Sequence, residues 1–211
     1  MQLLPAGFRK WMSRQSRSRT DLGEPPLRAE LLSVEQLARY AQGLAASQQV
    51  ETRKGPNGLL GRLTENEEIL RSFNRATQAV DRSQRVTPAA EWLLDNFYLI
   101  EEQIQMARRH LPRGYSRELP RLLGGASVGL PRVYDIGLEL ISHVDAQIDA
   151  GPLHAFIAAY QTVAPLTIGE LWAVPIMLRL GLIESLQRVT RRLIIAQADC
   201  DLAESWVNLL L

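Results

Sequence analysis

The sequence predicts an all-α protein: an irregular bundle of about six or seven helices, one of them long and kinked at a proline. Three observations carry this. Capping-box words stand at Ser33/Gln36, Thr64/Glu67 and Thr167/Glu170, each beside a run with apolar residues three and four apart. Proline and glycine clusters separate these runs. No stretch alternates apolar and polar residues with the period of a strand.

The organising element lies in residues 87–122. Thr87 is a favourable N-cap, and Pro88 takes the first helical position, where a missing N–H leaves nothing unsatisfied. Leu93, Phe97, Ile100, Ile104, Ala107 and Leu111 trace one apolar stripe. Trp92, Leu94 and Tyr98 widen it, which predicts neighbours on more than one side. Arg108, Arg109 and His110 set positive charge against the last carbonyls, and Leu111-Pro112 stops the helix.

Upstream, residues 1–26 read as a basic disordered tail, closed by Gly23-Glu24-Pro25-Pro26. Residues 27–86 read as two helices and a linker. The first helix runs from about Leu27 to Ser47, broken near Ser33, with Val34, Leu37, Ala38, Ala41, Leu44 and Ala45 inward. In the linker, Lys54-Gly55-Pro56-Asn57-Gly58 lacks the glycine spacing and the Lys-Ser/Thr pair of a phosphate loop, so it is a turn. The second helix is capped at Thr64 and runs to about Gln84, burying Ile69, Leu70, Phe73, Ala76, Ala79 and Val80.

Residues 87–211 form the expected main bundle. After the organising helix, Arg113 to Pro131 is a compact loop with a short helical turn. Pro131 opens a helix to about Ile148, Gly151-Pro152 resets the chain, and Leu153 to Ala164 is a shorter helix. Thr167 caps a long helix from Ile168 to about Asp199, with a kink expected at Pro175. A last helix covers roughly Asp201 to Leu211. Its apolar, uncapped end predicts a bundle truncated at its C-terminus.

A formal net charge of +1 gives no footprint for nucleic acid, and none is expected as a partner. One cysteine, Cys200, rules out an internal disulfide; on a helix it reads as a small buried hydrophobe. The most apolar window, Leu171 to Ile183, is interrupted by Pro175 and Arg179 and falls short of the roughly 20 residues a bilayer demands. The tail's Arg9, Lys10, Arg14, Arg17 and Arg19 allow a weak contact with a membrane surface.

No residue is assigned to catalysis or to a metal. His143 and Asp145 are two apart and point to different helix faces; Glu101-Glu102 diverge in the same way. Glu91 and Asp95 share a face, but neither a Glu-x-x-His word nor a matching second helix accompanies them. The most polar-aromatic cluster is Arg113, Tyr115, Arg117, Glu118 and Arg121. The candidate binding set is Arg113, Tyr115, Arg117, Glu118, Glu170 and Trp172: aromatic faces suit sugar rings and arginine suits a diphosphate. The structural alternative is a loop pinned by Arg–Glu pairing and tyrosine packing, with Trp172 in the core.

Two long words remain unexplained by periodicity. Residues 87–104, TPAAEWLLDNFYLIEEQI, and Pro165-Leu166-Thr167-Ile168-Gly169-Glu170-Leu171-Trp172-Ala173-Val174-Pro175 resemble the N-terminal region of bacterial cyclic β-1,2-glucan synthases. So do Leu111 to Tyr115, Arg117 to Pro120 and Pro131 to Tyr134, and the resemblance covers about Leu27 to Leu193. It implies a very large inner-membrane enzyme that builds, trims and cyclises β-1,2-glucan from UDP-glucose on a protein-attached starter. The family's membrane spans, nucleotide-sugar site, divalent metal and phosphorylase-like acid lie beyond the matching segment. No cofactor is therefore expected here.

The resemblance implies a scaffold or docking module at the cytoplasmic face of the inner membrane, its partners being the remaining transferase and membrane domains. Two alternatives stay open. One is an autonomous glucan- or nucleotide-sugar-binding domain; the other is a free-standing helical adaptor.

Overall fold

The computed structural model describes residues 30–55, 58–79, 87–111, 114–144 and 148–210. The all-α class expected from the sequence is what it shows. Eight helices stand among the described residues: α1 (Val34–Ser47), α2 (Gly58–Gln78), α3 (Pro88–Asp95), α4 (Phe97–His110), α5 (Tyr115–Glu118), α6 (Arg132–His143), α7 (Ala150–Gln161) and α8 (Ile168–Leu210). Two short strands, β1 (Val50–Glu51) and β2 (Arg121–Leu122), pair antiparallel. The basic tail, the Val80–Gln84 end of the second helix, Arg113, Asp145 and Leu211 lie outside the described residues.

The Ser33 capping box forms as read: Ser33 Oγ accepts from the Gln36 backbone at 3.3 Å, and Gln36 Oε1 accepts from the Ser33 backbone at 2.8 Å. It sets the start of α1 at Val34, so residues 30–33 are not helical. The Thr64 box does not form. α2 begins at Gly58, which leaves Thr64 inside the helix, its hydroxyl donating to the Leu60 carbonyl at 3.0 Å. Burial of Leu59 and Leu63 rewards that earlier start.

The organising helix is two helices. Asn96 (φ −102°, ψ 9°) separates α3 from α4, and its side-chain amide donates to the Trp92 carbonyl at 2.8 Å, competing with the backbone ladder. The inner stripe holds: Leu93, Ile100, Ile104, Ala107 and Leu111 are buried. Phe97, also of that stripe, is only half-buried at the core edge; of the residues expected to widen it, Leu94 is half-buried, and Trp92 and Tyr98 are exposed.

Downstream, α6 stops at His143, short of Ile148. Gly151 and Pro152 sit in the first turn of α7, where proline lacks only an N–H without an intrahelical partner. The two last predicted helices merge into α8, a single 43-residue helix that contains Pro175. Neither glycine nor proline interrupts it near Asp199, and Cys200, expected inside, is exposed.

Two cores share α6 and α8. The first gathers Leu59, Leu63 and Leu70 of α2, Ile100 and Ile104 of α4, Val133 and Tyr134 of α6, and Met177 and Leu180 of α8. The second joins Leu37 and Ala41 of α1 to Ile136 and Leu140 of α6, Phe156 and Tyr160 of α7, and Leu178 of α8. α6 thus contributes one broad apolar face to both cores. Its approach to α8 is close: a Cβ on Gly181 would lie 2.7 Å from Ile141 Cδ1. α2 runs antiparallel to α4, since the ion pairs Glu67–Arg108 and Arg71–Glu101 advance in opposite chain directions.

Ile104 is fully buried in the first core, whereas Phe97 is only half-buried. Ile104→Ala should therefore lower stability by about 2–5 kcal/mol in urea melts. Phe97→Ala should lose less despite removing more carbon; a larger loss at Phe97 would contradict the packing.

Candidate functional site

The predicted binding set divides in two. Tyr115, Arg117 and Glu118 ride on α5, whose entry at Gly114 has a left-handed φ of 96° that favours glycine. Glu170 and Trp172 stand in the first turns of α8. One hydrogen bond joins the two groups: Tyr115 Oη donates to the Gly169 carbonyl at 2.8 Å. Burial raises the Tyr115 pKa, so the phenol remains a donor at neutral pH.

The α5 residues are largely committed to the chain itself. Arg117 Nε donates to the Gly55 carbonyl at 3.0 Å, and Lys54 Nζ lies 2.7 Å from Glu118 Oε1. That ion pair is exposed on both sides and holds the loop weakly. Arg121, on β2, is buried and donates to the Arg53 carbonyl. A Cβ on Gly55 would fall 1.6 Å from Arg121 Nη1, so glycine makes room for the guanidinium. The loop is pinned, though not by the expected Arg–Glu pairing among the described residues. Its links are arginine to backbone carbonyl and lysine to Glu118.

Glu170 is the best satisfied carboxylate of the set. It is fully buried and accepts from Arg132 Nε at 2.6 Å and Arg132 Nη2 at 2.9 Å. Thr167 supplies two more donors, its backbone N–H at 2.9 Å and its hydroxyl at 3.0 Å. The Thr167 box thus forms as predicted, with Arg132 locked across it. A carboxylate with four donors has no oxygen turned to a substrate. Trp172, expected in the core, is 80% exposed, and Ile168 beside it is 76% exposed.

A second buried cluster escaped sequence reasoning. Arg62 of α2 grips Glu184 of α8 through Nε and Nη2, both at 2.6 Å, and Tyr134 of α6 donates to the same carboxylate. Burial alone would raise the Glu184 pKa; bonding from Arg62 and Tyr134, with the charge of Arg188, holds it below the ordinary carboxylate range. Burial and the neighbouring carboxylate push the Tyr134 phenol well above its usual value. The partners lie 122 and 50 residues apart in sequence, so no local word marks them. Likewise His143 is buried, with Nδ1 2.8 Å from the Glu30 carbonyl.

These clusters orient helices; none presents a free acid, base or nucleophile at a cleft. Among the described residues, no group of three or more His, Cys, Asp or Glu residues is placed to hold a metal ion. No helix of the described residues is long and apolar enough to cross a membrane. What the site offers outward is an aromatic and aliphatic face, Ile168, Leu171 and Trp172, rimmed by Tyr115.

No known protein-family profile matches the chain. It is 35% identical over 175 residues to the cyclic beta-(1,2)-glucan synthase NdvB of Rhizobium meliloti (strain 1021). The match takes in 79% of this chain but 6% of that protein, so the chain spans a small piece of the relative's length. The resemblance read from residues 27–193 is borne out: the chain is a relative of one segment of a cyclic glucan synthase.

Because its folded pKa is depressed, Glu184 contributes stability that is complete above the unfolded carboxylate pKa of about 4.3 and is lost as pH falls below it. Urea midpoints should therefore drop on acidification from about pH 5. Glu184→Gln should make that drop shallower. An unchanged acid slope in the variant would contradict the assignment.

Proposed function

We propose that this chain is a helical scaffold and docking module of a cyclic β-1,2-glucan synthase, not catalytic by itself. In this reading it packs against the transferase and membrane domains at the cytoplasmic face of a bacterial inner membrane. Those domains take up UDP-glucose and the divalent metal and carry out glucan synthesis. The supporting observation is the α8 entrance: Ile168 and Trp172 are largely exposed within the same word that carries the family resemblance. Large exposed apolar side chains on adjacent turns fit a surface that another domain covers. A buried tryptophan anchor commonly dominates such contacts.

The purified chain should retain the remaining domains of the synthase in a pull-down. Trp172→Ala with Ile168→Ser should weaken retention by roughly tenfold or more without unfolding the chain. Failure to associate, or retention indifferent to both substitutions, would refute the docking role.

A second reading is a glucan- or nucleotide-sugar-binding surface built from Tyr115, Arg117 and Trp172. The exposed Trp172 ring, one turn from the Gly169 carbonyl that Tyr115 holds, favours it. Titration calorimetry with UDP-glucose and with β-1,2-glucan distinguishes the two. Heat that disappears in Trp172→Ala supports the binding surface; no heat from either ligand refutes it.

A further inference from the structure

Buried and half-buried arginines in this fold are matched by carboxylates: Arg132 by Glu170, Arg62 by Glu184 and Arg108 by Glu67. Arg121 breaks that pattern. It is only 8% exposed, it donates through Nη2 to the Arg53 carbonyl, and its Nε is buried with no hydrogen-bond partner. Glu51 stands opposite it in the β1–β2 ladder, yet no ion pair among the described residues joins the two. A buried cation without a counter-charge is costly, and a buried N–H without an acceptor adds to that cost. One ligand type answers both needs: an anion with several acceptor oxygens.

A second guanidinium closes on the same spot. Arg117 Nε donates to the Gly55 carbonyl at 3.0 Å, while a Cβ on Gly55 would fall 1.6 Å from Arg121 Nη1. Two cations therefore converge on one glycine, and because residue 55 has no side chain, the Arg121 guanidinium lies there against bare backbone. Each arginine carries five N–H donors, of which one on each goes to a backbone carbonyl. Arg117 is exposed, so a ligand reaches the pair from its side. Exposed Arg53 and Lys54 precede the glycine, and Lys54 already engages the Glu118 carboxylate at 2.7 Å. Pro56, Asn57, Pro112 and Arg113, which adjoin these segments in sequence, bring no carboxylate.

We propose that Arg117 and Arg121 form an oxyanion site beside Gly55 that takes a phosphate group, free or on a small ester. The tetrahedral oxygens of a phosphate meet two guanidinium forks at once, Arg121 Nε among the donors. The site shares Arg117 with the sugar-binding surface but does not rest on that reading, since it needs neither a sugar nor Trp172.

The test titrates the full chain with inorganic phosphate, and separately with glycerol phosphate, at an ionic strength held constant with sodium chloride. The thermal midpoint should rise saturably with ligand, and the phosphorus NMR line of the ligand should broaden. A larger shift with inorganic phosphate assigns the free ion and a larger one with the ester a phosphorylated ligand; either supports the site. Arg117→Gln, at an exposed position, should weaken binding about tenfold or more with the circular dichroism unchanged. Arg121→Met should abolish the shift; if that variant does not fold, Arg117→Gln decides alone. A shift that persists undiminished in either folded variant would overturn the proposal and leave Arg121 as a clamp on the Arg53 carbonyl. So would a midpoint indifferent to phosphate, or one that chloride raises equally. Trp172→Ala should leave the phosphate shift as it is, so this site and the sugar-binding surface fail separately.

Discussion

The bidentate bond between Arg132 and Glu170 is the constraint on which the rest of the structure hangs. It ties the first residue of α6 to the first turn of α8, and the same arginine donates to the Pro165 carbonyl at 2.8 Å. Two charges removed from water are tolerable only when they are paired and hydrogen-bonded, and here Thr167 adds two donors to Oε2 beside Arg132 Nη2, while Oε1 accepts from Arg132 Nε. Fixing the two helix starts together sets the register in which Gly181 admits Ile141. Tyr160 lies against the guanidinium from the second core, its ring centroid 6.0 Å from Arg132 Cζ. The pair therefore sits where both cores meet.

The same logic recurs at Glu184, where Arg62 and Tyr134 bring α2 and α6 onto α8. It recurs on α2 and α4, where Glu67 takes both Arg71 and Arg108. Each buried carboxylate is spent on a neighbouring helix, which leaves the outward faces to do whatever recognition the chain performs. At the α8 entrance that face is aliphatic and aromatic.

Much of the fold was legible because it is local. The Ser33 and Thr167 boxes each need only four consecutive residues, and the stripe from Leu93 to Leu111 needs only helical spacing. The Thr64 word misled because Thr-x-x-Glu also occurs inside helices, where the hydroxyl turns back on the preceding turn. The break at Asn96 was hidden by an unbroken apolar stripe. The extent of α8 was missed because an apolar, uncapped stretch after Asp199 looks the same as a new helix. At the candidate site, residue type pointed to Glu170 and Trp172, and burial separates them: the carboxylate is sealed, and the core packing weighed for Trp172 does not occur. Glu170 is sealed by Arg132, a partner 38 residues upstream, while Trp172 faces outward. Long-range pairing leaves no local mark in the sequence, so Arg62 with Glu184 was equally invisible.

The central claim is that the buried Arg132–Glu170 pair holds the start of α6 to the start of α8. A double-mutant cycle with Arg132→Met and Glu170→Leu, followed in urea, tests it most directly. The account predicts that each single change costs about 3–5 kcal/mol by stranding a buried charge, and that the double change recovers most of that loss. Single substitutions that each lose less than about 1 kcal/mol, with no coupling between them, would contradict it.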